Sequence, residues 1–357
     1  MMTTLIKWLI LGLVSFSMTG QTIKNPIGQA IAIKDINSFF DKQMEATGTP
    51  GISLAIINDG EIVYHTVKGN SAPNIAVSSK TIFEGASLSK PLFAFFVMQL
   101  VEQGILDLDT PLHTYLPYKD IAHDERYKKI TARMVLSHTT GFPNWRDENG
   151  KTGLTIDFEP GTQFQYSGEG YQYLALVLQK LLDTDVKGLQ KRFHKQVAKP
   201  FDLTVTRYIP NAKNQKNKAQ AFKNDVWLPV NNQGNDEFGA AYGVNSEARD
   251  WAKLLIAWMH KEGLSEEGYA ELFKKQTALP DDNPNKASGI SHLTLGFYNG
   301  TFPFGDVYGH GGNNNKRFTS LFFFIPERKW GAVLFTNSGF GEQMGIEFFQ
   351  YILSVGN

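Results

Sequence analysis

Ser87 and Lys90 stand three residues apart in the run Gly85-Ala86-Ser87-Leu88-Ser89-Lys90. On a helix this spacing puts a hydroxyl and an amine on one face. An amine whose pKa is lowered by burial and by the positive end of a helix can take the hydroxyl proton and create a nucleophile. The free N–H groups of the helix's first turn would then face a developing oxyanion. Taken alone, the tetrapeptide also fits an N-capping serine followed by a solvated lysine. Ser89 is the competing hydroxyl, but it has Leu92 at +3 and so lacks a base one turn on.

The elements that must hold this pair follow from periodicity. Gln29–Glu45 carries apolar residues at helical spacing. Ile52–Ile57 and Ile62–Val67 read as strands, and Asn58-Asp59-Gly60 between them is a hairpin signal. Ser87 to Gly104 reads as a helix capped by the glycine. Helical stretches at Ile130–Ser137, Tyr171–Leu182 and Leu189–Val197 alternate with polar loops, and Asp250–Lys261 is a further helix. Strand signals return at Asp306–Tyr308, Phe318–Ile325 and Ala332–Thr336, with a turn at Pro326–Lys329, and Glu342–Leu353 is a terminal helix. Strands at both ends and helices between them predict an α/β (α+β) chain. One antiparallel sheet is built from both termini, flanked by the terminal helices, with a mostly helical domain inserted. The expected division is a discontinuous sheet domain, 21–85 and 236–357, and a helical domain, 86–235, with the active site at their interface.

Composition narrows the chemistry. The chain has 357 residues, 35 Lys and Arg against 35 Asp and Glu, and no Cys. A formal charge of zero argues against nucleic acid as a partner. The absence of Cys removes disulfides, thiolate metal sites and Cys nucleophiles. Lys7, an apolar run from Trp8 to Phe16 and the small or polar residues to Gly20 predict a signal peptide over residues 1–20. The run is shorter than the roughly 20 residues of a membrane span. The expectation is an exported, periplasmic or secreted bacterial protein with no membrane span once the leader is removed. An uncleaved anchor is the alternative.

Further segments keep company with Ser87. They are Gly104-Ile105-Leu106-Asp107-Leu108-Asp109-Thr110-Pro111, Leu136-Ser137-His138-Thr139-Thr140-Gly141, Tyr166-Ser167-Gly168, Tyr242-Gly243-Val244-Asn245-Ser246 and His310-Gly311-Gly312. Tyr166 lies 79 residues after Ser87, and His310 lies 144 after Tyr166. In type, order and spacing these resemble the penicillin-binding and class C β-lactamase-like serine hydrolases, from the Asp59-Gly60 hairpin to the last strand. The resemblance implies a β-lactamase/DD-peptidase-like fold and an acyl-enzyme mechanism on an ester or amide. Carried over by position, Ser87 is the acylated nucleophile and Lys90 its partner. Tyr166 shares the base role and activates the deacylating water, as a phenol can where two nearby cations favour its anion. His310 replaces the family's lysine on the strand edging the cleft. Gly311 and Gly312 would let substrate backbone approach. The backbone N–H groups of Ser87 and Asn313 would form the oxyanion hole. Gly168 stands where penicillin-hydrolysing relatives have an asparagine that binds the substrate amide, and Asn313–Asn315 could supply a replacement.

Other residues read more plainly. His138 is expected to pack around the helical domain rather than serve as base, and Asp107 and Asp109 to shape a loop. His65, His113, His123, His194, His260 and His292 show no metal-ligand spacing, so neither a metal nor a cofactor is expected. Lys213, Lys216, Lys218 and Lys223 read as a solvated loop, and Phe93, Phe95 and Phe96 as core. The leading expectation is a serine hydrolase of esterase, D-amino acid peptidase or β-lactamase type, acting on a small or peptide-like substrate. The alternatives are a penicillin-binding sensor acylated without turnover and an inert scaffold.

Overall fold

The structure is a computed structural model that describes residues 21–148, 150, 152–230 and 236–355. The expected leader, residues 1–20, lies outside them. In chain order the site-positioning elements are α1 (Ile33–Thr47), β1 (Gly51–Asn58), β2 (Glu61–Ala72), β3 (Ile75–Ala76), β4 (Phe83–Ala86) and α2 (Ser89–Glu102). Then come α3 (Ala132–Leu136), α4 (Gly168–Leu181), α5 (Val186–Phe193), β5 (Val244–Ser246), α6 (Ala248–Met259) and α7 (Glu266–Phe273). The last are β6 (Thr277–Ala278), β7 (His292–Leu293), β8 (Tyr298–Phe302), β9 (Gly305–Asn314), β10 (Phe318–Ile325), β11 (Trp330–Thr336) and α8 (Gly341–Ser354).

Nine of these strands form one antiparallel sheet in the order β6-β7-β8-β9-β10-β11-β1-β2-β3. The N-terminal and C-terminal halves join where β11 pairs with β1, Leu334 opposite Leu54. β1 is buried along its whole length, as a strand covered on both faces must be. Ile52, Leu54 and Ile56 pack with Ile36 and Phe40 of α1 and with Met344 and Phe348 of α8. Ala55 and Ile57 face the other way, into the core shared with α2, α4 and α6. The β1–β2 turn has φ of 52° at Asp59 and 81° at Gly60, the left-handed pair that matches strand twist.

The apolar runs at Phe318–Ile325 and Glu342–Leu353 become β10 and α8. Three readings need correction. Ala30–Ala32 is a short strand, so the first helix begins at Ile33 rather than Gln29. The strand read as Asp306–Tyr308 runs on to Asn314, because pairing with β10 outweighs the poor strand propensity of His-Gly-Gly-Asn-Asn. Ser87 does not open a helix: it sits in a turn two residues ahead of α2, which is buried throughout its first three turns.

Candidate active site

A strained elbow presents Ser87. Ala86 ends β4 with φ of 49°, a left-handed conformation that costs a non-glycine residue about 1–2 kcal/mol. The buried Ser89 hydroxyl holds this elbow: it donates to Ala86 O at 2.6 Å and accepts from Val244 N–H at 2.9 Å. Ser89 is thus built into the support of the turn, while Ser87 is partly exposed and lines a cavity.

Lys90 reaches Ser87 by the tight turn, in which Lys90 N–H donates to Ser87 O. Its Nζ lies 3.1 Å from Ser87 Oγ and donates to Ala241 O at 2.8 Å. Lys90 is 1% exposed, and burial pushes its pKa down to about 7. Near neutral pH much of it is therefore a free amine, able to accept the Ser87 proton. The rings of Tyr166 and Tyr171 lie 4.5 and 5.7 Å from Nζ and favour the fraction that stays charged.

Tyr166 shares the cavity wall with Ser87, which acts to lower its pKa. Its ring stacks on His138 with centroids 4.3 Å apart. His138 in turn accepts a hydrogen bond at Nδ1 from Ser167 N–H, 3.0 Å away, and Ser167 Oγ caps α4 by accepting from Gly170 N–H. His138 therefore positions Tyr166, and burial holds its own pKa well below the usual histidine value. Burial also pushes the Tyr166 phenol well above its ordinary value, with Tyr298 and Glu342 acting in the same direction. Of the two cations expected to favour a Tyr166 phenolate, Lys90 lies over the ring, but burial outweighs it. Tyr166 rests as a phenol, so its first service is as a proton donor.

On β9, His310 is 3% exposed and its Nδ1 lies 2.6 Å from Gly311 O. A carbonyl only accepts, so Nδ1 carries the proton and Nε2 presents a lone pair. Nε2 has no protein partner among the described residues. Burial, with Lys90 nearby, pushes the His310 pKa down to about 3, so the partial positive charge expected there at pH 7 is absent. The neighbouring glycines also have other work than expected. A Cβ at Gly312 would sit 2.3 Å from Gly85 O, and one at Gly311 2.2 Å from Glu342 Oε1. Gly312 lets β9 close on the strand leading to Ser87, and Gly311 makes room for the Glu342 carboxylate. Asn313 lines the cavity beside Ser87, but its side chain is turned to Lys316 N–H, and Asn314 is bonded to Glu84. Asn314 does not line the cavity, whereas Asn313 keeps its NH₂ group beside Ser87.

A further carboxamide stands at Asn144, which sequence reasoning missed. Asn144 lines the cavity and accepts the Gly168 N–H at Oδ1, leaving its NH₂ to donate. A Cβ at Gly168 would fall 2.5 Å from the Trp145 ring, so an indole fills the space an asparagine side chain would need. Gly168→Asn is therefore expected to cost about 1–3 kcal/mol in overpacking, read as a lower melting temperature. An unchanged melting temperature would show that Trp145 yields freely.

The cavity, about 670 Å³, brings together Ser87, Tyr166, His310, Asn313 and two residues not anticipated, Tyr298 and Glu342. No local pattern marks either as a site residue. Asp109 pairs with Arg133, and Asp107 accepts from the N–H groups of Asp109 and Thr110, as loop-shaping residues do. Lys218 is a correction: its side chain is 4% exposed and pairs with Glu84 at 2.7 Å, so burial beside β4 takes it out of the solvated loop. Among the described residues no group of three or more His, Asp or Glu side chains is placed to hold a metal ion, and no helix is long and apolar enough to cross a membrane.

Residues 36–356 match the family model described as Beta-lactamase. Protein flp of Staphylococcus aureus (strain MRSA252) is 21% identical over 335 residues, covering 85% of this chain and 62% of that protein. An N-acetylmuramyl-L-alanine amidase of Bacillus subtilis (strain 168) is 29% identical over 204 residues, 48% of this chain and 46% of that protein. The chain thus spans less than two thirds of either relative. Among solved structures, a class C beta-lactamase superposes with a TM-score of 0.75 at 19% identity, covering 91% of this chain and 96% of that one.

Proposed function

The chain belongs to the Beta-lactamase family, a serine hydrolase superfamily, and on that footing we propose that it turns over esters or amides through an acyl-enzyme on Ser87. The observation that carries this reading is the Lys90 amine, buried, near 7 in pKa and 3.1 Å from Ser87 Oγ. In the neutral state Lys90 takes the Ser87 proton as Oγ adds to the substrate carbonyl. The oxyanion is received by the backbone N–H groups of Ser87 and Asn313. Tyr166 passes its phenolic proton to the leaving group and recovers one from Lys90, which resets the amine. A water then repeats the addition with the reset Lys90 amine as base, and Tyr166 passes its proton to Ser87 Oγ and recovers one from Lys90 as the acid leaves. Intact mass after mixing with p-nitrophenyl acetate, alongside steady-state release of p-nitrophenol, tests the reading. A single equivalent released with no steady rate would make the protein a sensor instead.

Esters and neutral D-amino acid amides are expected to outrun cephalosporins. His310 offers a lone pair where a cation would hold a substrate carboxylate. Losing one charged hydrogen bond removes about 1.5–3 kcal/mol of discrimination, a factor of about 10–150. The measurement is kcat/KM for p-nitrophenyl butyrate against a chromogenic cephalosporin at pH 7 and 5.5. Because His310 titrates near 3, well below both, its charge should not change the ratio between them. A cephalosporin preferred at both values would make this a β-lactamase.

Export is the reading that the leader-like residues 1–20 support. The intact mass of exported protein is expected to place the mature N-terminus near Gln21. A mass that retains Met1 in a membrane pellet would mean an anchor.

A further inference from the structure

The cavity that contains Ser87 does not end at the catalytic groups. It continues past His310 and Gly311 beneath α8, where its walls are Ile290, Phe302, Leu321, Phe323, Ile346 and Phe349. Val307, Gly309 and Gly311 turn the same side of β9 toward α8, and the two glycines leave that side without side-chain bulk. At the junction of the two parts stands Glu342. Among the described residues no cation pairs with it, and burial pushes its carboxyl up. Its carboxylate lies against Gly311, on the wall of the cavity that Tyr166 and Tyr298 share. The His310 Nε2 lone pair, buried and without a protein partner, lies on the same route.

We propose that the substrate carries an apolar group without a carboxylate that fills the space beneath α8, and that Glu342 and His310 turn anions away at its mouth. This rests on the hydrolase reading, since the occupant is part of the molecule whose carbonyl meets Ser87. The six wall residues would desolvate a chain of several methylenes, each worth about fourfold in binding when fully buried. A carboxylate carried past Glu342 and a bare imidazole nitrogen would meet a carboxyl group and a lone pair, and among the described residues no cation pairs with Glu342 to offset them.

The test is kcat/KM at pH 8 for two series: p-nitrophenyl acetate, butyrate and octanoate, and ethyl, butyl and octyl acetate followed by acid release. The two series place the apolar group on either side of the scissile bond. At least one should rise tenfold or more from its shortest to its longest member. Ile346→Trp, which fills the space, should flatten that rise. Mono-p-nitrophenyl suberate carries a carboxylate at the end of an eight-carbon acyl chain. If the rise is in the acyl series, it should be hydrolysed at least tenfold less well than the octanoate, and Glu342→Gln should narrow the gap. If the rise is in the alcohol series, the matched pair is octyl acetate and its ω-carboxylated analogue. Both series flat in the parent protein, or the carboxylated member handled as well as its neutral counterpart, would overturn the inference while leaving the hydrolase reading intact. No turnover of any ester by the folded protein would instead overturn that reading, and this inference with it.

Discussion

Ser87→Ala is expected to abolish covalent labelling by a fluorophosphonate probe, whereas Ser89→Ala keeps the label and loses stability. The two hydroxyls are two residues apart, yet their surroundings differ in kind. Ser87 Oγ faces the cavity and meets Lys90 Nζ and Tyr166. Ser89 Oγ is fully buried and bridges Ala86 O and Val244 N–H. Removing it leaves two buried backbone groups unsatisfied beside a left-handed alanine, at about 1–3 kcal/mol for each group. Ser89→Ala should therefore melt earlier and be labelled more slowly as the elbow relaxes, with the adduct still on Ser87 by peptide mass. Ser87→Ala should melt like the parent, because Ser87 supports nothing else. Equal labelling of Ser87→Ala and the parent would remove the nucleophile assignment.

The parts of this site that sequence reveals are those whose chemistry is local. Ser87 and Lys90 are three residues apart, and a single turn brings them together whether or not the helix has begun, so misplacing the start of α2 does no harm. The Asp59-Gly60 turn, the Phe318–Ile325 strand and the terminal helix are likewise written in short-range pattern. What sequence does not reveal is set by packing between distant segments. Trp145 fills the space at Gly168 across 23 residues, and Glu342 faces Gly311 across 31. Lys218 looks like one more surface lysine until Glu84 is placed beside it. The extension of β9 through Gly311 and Gly312 depends on its partner β10, not on its own composition. Charge states are hidden for the same reason. Residue type gives histidine a pKa near neutrality and lysine one near 10, and burial brings His310 to about 3 and Lys90 to about 7. The structure thus exchanges the expected roles: the lysine, not the histidine, titrates in the physiological range.

That exchange gives the second large effect a pH signature. Lys90→Ala and Tyr166→Phe are each expected to slow acylation on the order of 10³-fold or more, since groups that act as one unit fail together. Equal losses would not separate their roles, but the pH profile does. Only the neutral Lys90 amine can accept the Ser87 proton, and its pKa is lowered to about 7. Acylation by the parent should therefore rise about tenfold per pH unit below 7 and level off above it. Tyr166→Phe retains the amine and should keep that inflection at a much lower rate. Its loss should be greatest for substrates with poor leaving groups, which need the phenolic proton most. Lys90→Ala removes the titrating group and should lose the inflection altogether. Single-turnover acylation by p-nitrophenyl acetate between pH 5.5 and 8.5 measures all three. A parent profile flat across that range would mean that the Lys90 amine is not the base. An inflection that persists near 7 in Lys90→Ala would assign the titration to some other group. Because His310 is neutral over the whole range, it cannot produce either result by changing its charge.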